Sequence, residues 1–296
     1  MTDVGAVTGH KKWATELTQL LRAVLGDERF PVDVEKLAME VSASRFPKDP
    51  LKAIKGGNLP GFEGALCPLG DPRDGWAIIY NNANVSPGRI RFTTGHEFGH
   101  YLAHRHLLPD GIECDDKVVI QRAGIGIEKE ADEFAAYLLM PFDDFRKRVS
   151  STDKPGIDEL SACAERYGVS LVAAIMRWLE YTERRSILVV SRDGGAIWSK
   201  ASDAAFRSGR FIRTAKQTFM LPAGSLAVRE QFDGAGRAIG THPPGVWFPE
   251  VTEEISVRSN RYDLTLSLLH LAKEYRYQPS AEPQLMDTFE KFSERR

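Results

Sequence analysis

The sequence predicts an α+β protein. A mainly helical part runs to about residue 185, a strand-rich mixed α/β part covers 186–280, and residues 281–296 form a tail. Three observations carry this. Apolar residues recur at helical spacing through the first part. The character changes at "SILVVSRDGGAIWS" from Ser186, which has the look of a hairpin. The later runs "SLAVREQF" and "DLTLSLLHL" continue in a strand-like pattern.

Taken in order, Leu17, Leu20, Leu21, Val24 and Leu25 place a helix over residues 10–26. A second helix starts in "VDVEKLAMEV", where the Asp33 carboxylate can cap free amide groups. After Gly- and Pro-rich "KGGNLPGFEGALCPLGDPRDG" comes "WAIIYNN", a short apolar run bounded by turn residues, which predicts a strand. The histidine-rich stretch "RFTTGHEFGHYLAHRH" predicts a helix over about 94–106. "EKEADEFAAYLLM" predicts another, stopped by Pro141. "DELSACAERYGVSLVAAIMRWLEYTERR" is expected to form two helices, with a turn at Gly168 and a cap at Ser170.

Composition narrows the function classes. At 296 residues, with ordinary apolar and charged fractions, the chain can bury a sizeable core and is not of the disordered class. A net charge of -2 gives no global drive toward nucleic acid, so any such binding needs a local patch. Cys67, Cys114 and Cys163 are odd in number and far apart, which argues for a reducing compartment. With a polar N-terminus and no apolar run near membrane-spanning length, the expected location is the cytoplasm, with no membrane partner.

The chemistry concentrates in the histidine helix. His96 and His100 stand four apart, on one face of a helix, close enough to share one ion. Glu97 projects beside that ion, where a carboxylate can take a proton from water, as in the His-Glu-x-x-His helices of zinc peptidases. The competing explanation is a capping box formed by Thr94 and Glu97, which leaves both histidines without a role.

A catalytic zinc needs a third protein ligand and an open position. His106 has the spacing of an extended motif, but Ala103 stands where that motif turns at a glycine. His104 is more simply an exposed helix residue. Glu128 is the better candidate, because Asp132 follows on the same face and can accept the second ring N–H of a ligand histidine. Ala131, Ala135 and Leu138 share that face, so it should pack inward. Glu130 is turned away by about 200° of helix rotation.

"RFTTGHEFGHYLAH" followed by "EKEADEFAAYLLMP" resembles the ImmA/IrrE family of zinc metallopeptidases. The second motif of that family is matched at Glu128, Ala131, Asp132, Phe134, Ala135, Leu138, Leu139, Met140 and Pro141. The similarity covers roughly residues 10–180, including "VSLVAAIMRWL". It implies a zincin-like domain with His96, His100 and Glu128 as Zn2+ ligands and Glu97 as general base. It also implies a helix-turn-helix repressor as substrate, cleaved in mobile-element control, DNA-damage responses or phage defence. The region after 185 is then expected to sense a signal.

Weaker signals complete the reading. Tyr101, Tyr137 and His104 are candidate donors to a developing oxyanion, and the strand over residues 76–80 is a candidate sheet edge for an extended substrate. The pair of helices over 157–182 invites a DNA-binding reading, but its second helix opens with nearly all-apolar "SLVAAIM". Cys114, in the loop between the two motif helices, can occupy the open zinc position and hold the enzyme off. Arg207, Arg210, Arg213 and Lys216 are spaced three apart and interleaved with Phe206 and Phe211, a candidate surface for activating single-stranded DNA. A solvated basic face is the simpler explanation of that series. Two function classes stand: a regulated zinc endopeptidase, and a non-catalytic module that keeps the metal shell as scaffold or sensor.

Overall fold

A computed structural model describes residues 9–83, 86–108, 110–114, 124–214, 218–259 and 263–272. The fold is α+β. Helices α1 (His10–Leu25) and α2 (Val34–Arg45) come first, and the Asp33 carboxylate accepts the Lys36 amide at 3.0 Å to cap α2. Strands β1 (Leu51–Gly57), β2 (Gly64–Leu69) and β3 (Gly75–Asn81) follow, then helix α3 (Pro87–Ala103) and the short strand β4 (Ile112–Cys114). These four strands form one sheet in the order β1-β3-β2-β4.

This sheet departs from the simplest sequence pattern at two places. The Gly- and Pro-rich stretch is not all turns, because it supplies the last three residues of β1 and all of β2. Residues 76–80 are not a sheet edge either. They lie in β3, which pairs parallel with β1 and antiparallel with β2, so both its edges are filled.

Helix α4 (Gly124–Leu139) packs along α3, and α5 (Phe142–Arg148) restarts after Pro141. Helices α6 (Ile157–Tyr167) and α7 (Leu171–Leu179) meet at Gly168, whose φ of 59° is the left-handed conformation that ends a helix most easily at glycine. Ala174, Ile175, Trp178 and Leu179 of α7 are buried in the core, so this pair of helices is packing and not a groove reader.

The second sheet has the order β7-β6-β5-β10-β9-β8. Its strands are β5 (Ser186–Arg192), β6 (Gly195–Ala201), β7 (Phe219–Met220), β8 (Arg237–His242), β9 (Thr252–Ser259) and β10 (Leu264–Leu271), with short helices α8 (Asp203–Arg207) and α9 (Leu226–Arg229) between them. The expected hairpin is β5–β6, turning at Asp193 and Gly194, both with positive φ. "SLAVREQF" is not a strand. The Ser225 hydroxyl caps α9 by accepting the Val228 amide, and a cap of this kind outweighs weak β propensity in so short a segment.

One apolar core runs from α1 through Phe98, Phe134 and Trp178 into Leu188, Val190, Leu266 and Leu268, so one face of the second sheet rests on the helical part. The other face carries a smaller core of Ile187, Val189, Ala205, Ile212, Leu221, Trp247 and Leu269. Among the described residues no helix is long and apolar enough to cross a membrane.

Candidate metal centre

Small residues set how close the two motif helices lie. Gly95 and Gly99 are one turn apart on α3 and face Ala131 and Ala135 of α4. A methyl group on Gly99 would stand 2.9 Å from Phe134 Cδ1 and 3.3 Å from Ala131 Cα, and one on Gly95 would touch Ala135 Cβ at 3.4 Å. Larger side chains at either glycine would hold the helices apart. The neighbouring turn of α4 therefore carries Glu128 up to the histidines of α3. The motif spacing alone does not predict this seam of glycine and alanine, although small residues four apart in both motifs signal it.

Helix α3 starts at Pro87, with the Ser86 hydroxyl accepting the Arg89 amide. Thr94 is thus inside the helix, its hydroxyl donating to the Ile90 carbonyl at 2.9 Å, and the capping-box explanation of Glu97 falls. Every residue from Thr93 to Leu102 is buried, Glu97 completely.

His96 Nε2 and His100 Nε2 lie 3.0 Å apart, and the two Glu128 oxygens stand 3.2 Å from one and 3.2 Å from the other. Among the described residues this trio is the group whose donor atoms converge as metal ligands do. Ligands at 2.0–2.1 Å in a tetrahedron are separated by about 3.3 Å, close to the spacing here. The nitrogen and oxygen set suits Zn2+. Asp132 Oδ1 accepts from His96 Nδ1 at 2.8 Å, which turns the His96 Nε2 lone pair inward.

The charges agree with a site built for a cation. Burial disfavours the charged form of His96, but the Asp132 and Glu128 carboxylates beside it outweigh that and raise its pKa to about 10. Burial lowers His100 to about 4, helped by the neighbouring His96. Burial would raise Glu128, but the two histidines beside it outweigh that and lower its pKa to about 2. The trio thus binds one proton where a divalent ion would compete for the same lone pairs.

The remaining candidates divide. Ala131, Ala135 and Leu138 are fully buried, as their shared face predicts. His106 is exposed in the turn after α3. His104 is only 3 % exposed, so it is not the solvent-facing residue expected. It is held by His100 and Glu130, while the Tyr101 hydroxyl donates to the Asp49 carbonyl at 2.8 Å and Tyr137 lies under the Arg177 guanidinium. Cys114 ends β4, its backbone opposite Gly64, and its side chain lies outside the described residues. Gly64 matters for another reason: a Cβ there would stand 2.6 Å from Glu97 Oε1, so only glycine lets β2 pass this close to Glu97.

The basic series divides: Phe206 and Phe211 are in ring contact, with centroids 5.2 Å apart, but Arg210 is not part of the exposed series. Arg210 turns inward and, with Arg185, grips Glu250 at 2.6–2.8 Å. Arg207 and Arg213 are exposed, Arg207 near Asp203 and Arg213 beside Phe211, and Lys216 lies outside the described residues. Helix α8 ends at Arg207, so the residues after it are not placed by helical spacing.

Residues 69–179 match the peptidase M78 family, described as an IrrE N-terminal-like domain. That span holds α3, α4 and the three converging side chains. Among solved structures, a chain named as a Mycobacterium tuberculosis transcriptional regulator superimposes with a TM-score of 0.53 at 11% identity, over 88% of this chain and 74% of that one. At that identity the likeness is one of fold. No curated protein matches the chain.

Proposed function

We propose, from the premise that residues 69–179 are an IrrE N-terminal-like domain of the ImmA/IrrE metallopeptidase family, that this chain is a zinc-dependent endopeptidase. The observation that carries the reading is the convergence of His96, His100 and Glu128 with Glu97 buried beside them. The substrate of this reading is a helix-turn-helix repressor, cut in the cytoplasm to switch on a stress, DNA-damage or phage-defence response.

Bound zinc would act as a Lewis acid, polarising the scissile carbonyl and acidifying water. Glu97, held in place by β2 passing at Gly64, takes the proton of the attacking water and returns it to the leaving amine. Asp132 orients His96 throughout. Cys114, at the end of β4, restrains the site in the resting state, and Cys114→Ala then raises basal cleavage.

The test combines metal analysis with cleavage of a repressor encoded beside this chain. Glu97→Gln should keep about one zinc per chain and lose roughly 10²–10⁴-fold in cleavage, because an amide cannot accept the proton. Unchanged cleavage by Glu97→Gln would overturn the mechanism. The solved chain of similar fold is named a transcriptional regulator, which favours a second reading, a regulator that keeps the metal without catalysis. Zinc binding and repressor binding without any cleavage by the wild-type chain would establish that reading instead.

A further inference from the structure

His104 and Glu130 lie outside the ligand trio, yet both are directed at it. His104 closes α3, and its Nδ1 lies 3.1 Å from Nδ1 of His100 while its Nε2 lies 3.1 Å from Oε2 of Glu130. A carboxylate can only accept, so the hydrogen of the neutral His104 ring sits on Nε2. Its Nδ1 is then an acceptor, and the facing Nδ1 of His100 must be the donor. That leaves His100 Nε2 with its lone pair turned toward His96 and Glu128, as metal binding requires.

We infer that His104 and Glu130 form a relay that fixes the tautomer and ring orientation of His100, making both positioning residues for the metal. The inference rests on the metal-centre reading above and deepens it. The two histidines of the site are served differently. His96 is oriented by Asp132 directly, at a carboxylate whose side chain is 60% exposed. His100 is oriented through a buried ring, and the carboxylate behind that ring sits on the far side from the ion. The first helix lies beside Glu130. His10 Nδ1 of α1 lies 3.5 Å from Glu130 Oε2, and its Nε2 lies 2.9 Å from Oε2 of Glu133, one turn further along α4 from Lys129. A histidine buried only for packing would need no such directed pair of partners.

The experiment measures Zn2+ affinity by chelator competition, and the visible absorption of the Co2+-loaded protein, on the full chain. His104→Phe keeps a ring but offers no acceptor, leaving the His100 Nδ1–H buried without its partner. Zinc affinity should fall roughly 10- to 100-fold, the usual effect of losing an outer hydrogen bond to a ligand histidine, and the Co2+ bands should shift. His104→Gln presents an amide oxygen to the same N–H and should recover most of the affinity. Glu130→Ala alters a side chain that reaches the surface, and it covers the case in which His104→Phe fails to fold; its zinc affinity should fall severalfold. Folded His104→Phe or Glu130→Ala protein that binds zinc as tightly as the wild type overturns the relay. A wild-type chain that binds neither Zn2+ nor Co2+ overturns the metal-centre reading itself, and the relay with it.

Discussion

Two carboxylates, the half-buried Glu128 on α4 and the fully buried Glu254 on β9, stand in opposite electrostatic situations. Glu254 is completely buried and is surrounded by donors. His242 Nε2, Trp247 Nε1 and the Leu226 amide reach one of its oxygens at 2.7–3.0 Å, and the hydroxyls of Ser256 and Ser267 reach the other at 2.8 and 3.0 Å. Such a group is saturated by its own protein and ties α9, β8, β9 and β10 together. Glu128 faces two imidazole Nε2 atoms that also face each other, and one shared proton is the donor among the three groups. A proton holds that arrangement in part, and a metal ion satisfies all of it. The lesson is that a buried His–Glu pair signals a metal only where the lone pairs outnumber the donors.

The largest effects should come from exchanging the two roles. Glu128→Ala should cost more than roughly 100-fold in zinc affinity, since even an outer partner is worth 10- to 100-fold, and should leave the fold of the metal-free protein intact. Glu254→Ala should do the reverse. It strands five donors in the sheet, destabilises the protein by about 3–5 kcal/mol and leaves zinc stoichiometry unchanged in the folded fraction. Chemical denaturation and metal analysis of both variants decide this. Retained zinc in Glu128→Ala, or zinc lost from folded Glu254→Ala, would erase the distinction.

The distinction also explains what could be read from the chain. The metal side is local: His96, Glu97 and His100 span five residues of one helix, and Glu128 to Pro141 one more, so helical spacing alone brings the right side chains to the right faces. The Glu254 node is not local. Its donors come from residues 226, 242, 247, 256 and 267, on three strands, a short helix and a loop, and no spacing rule relates them. The same limit hides β1 and β2. Their Gly and Pro content is that of loops, and they are strands because β3 supplies partners on both sides. Even spacing also hides the inward turn of Arg210, whose partner Glu250 lies forty residues further along the chain.

An intermediate effect should follow from the helix seam, and it sharpens the comparison by moving the ligand without changing it. Gly99→Ala puts a methyl group 2.9 Å from the Phe134 ring and 3.3 Å from the α4 backbone. The helices must separate by a few tenths of an ångström, at a cost of about 1–3 kcal/mol, and Glu128 retreats from His96 and His100. Zinc affinity should fall roughly 10-fold while the Glu254 node, far along the chain, stays unperturbed. Undiminished affinity in a destabilised Gly99→Ala protein would mean that the seam serves packing alone.

The last effect, confined to acid pH, concerns a histidine that is neither ligand nor part of the carboxylate node. His270 of β10 sits where the second sheet meets the helical part, its Nδ1 2.9 Å from the Ser186 hydroxyl, its Nε2 3.2 Å from the Pro155 carbonyl and its ring against Trp178. Burial lowers its pKa from 6.5 to about 4; the nearby Lys154 and Arg184 charges add to this, while the Pro155 carbonyl and Glu253 oppose it. The folded state therefore binds this proton less readily than the unfolded chain, so stability from His270 is complete above pH 6.5 and is lost as the pH falls toward 4. Between pH 7 and pH 5 the loss should be about 2 kcal/mol. His270→Gln removes the titration while keeping a polar side chain, and its denaturation midpoint should be the flatter of the two across that range. Parallel slopes for variant and wild type would show that the junction does not feel this proton, and that acid sensitivity in the same window arises elsewhere.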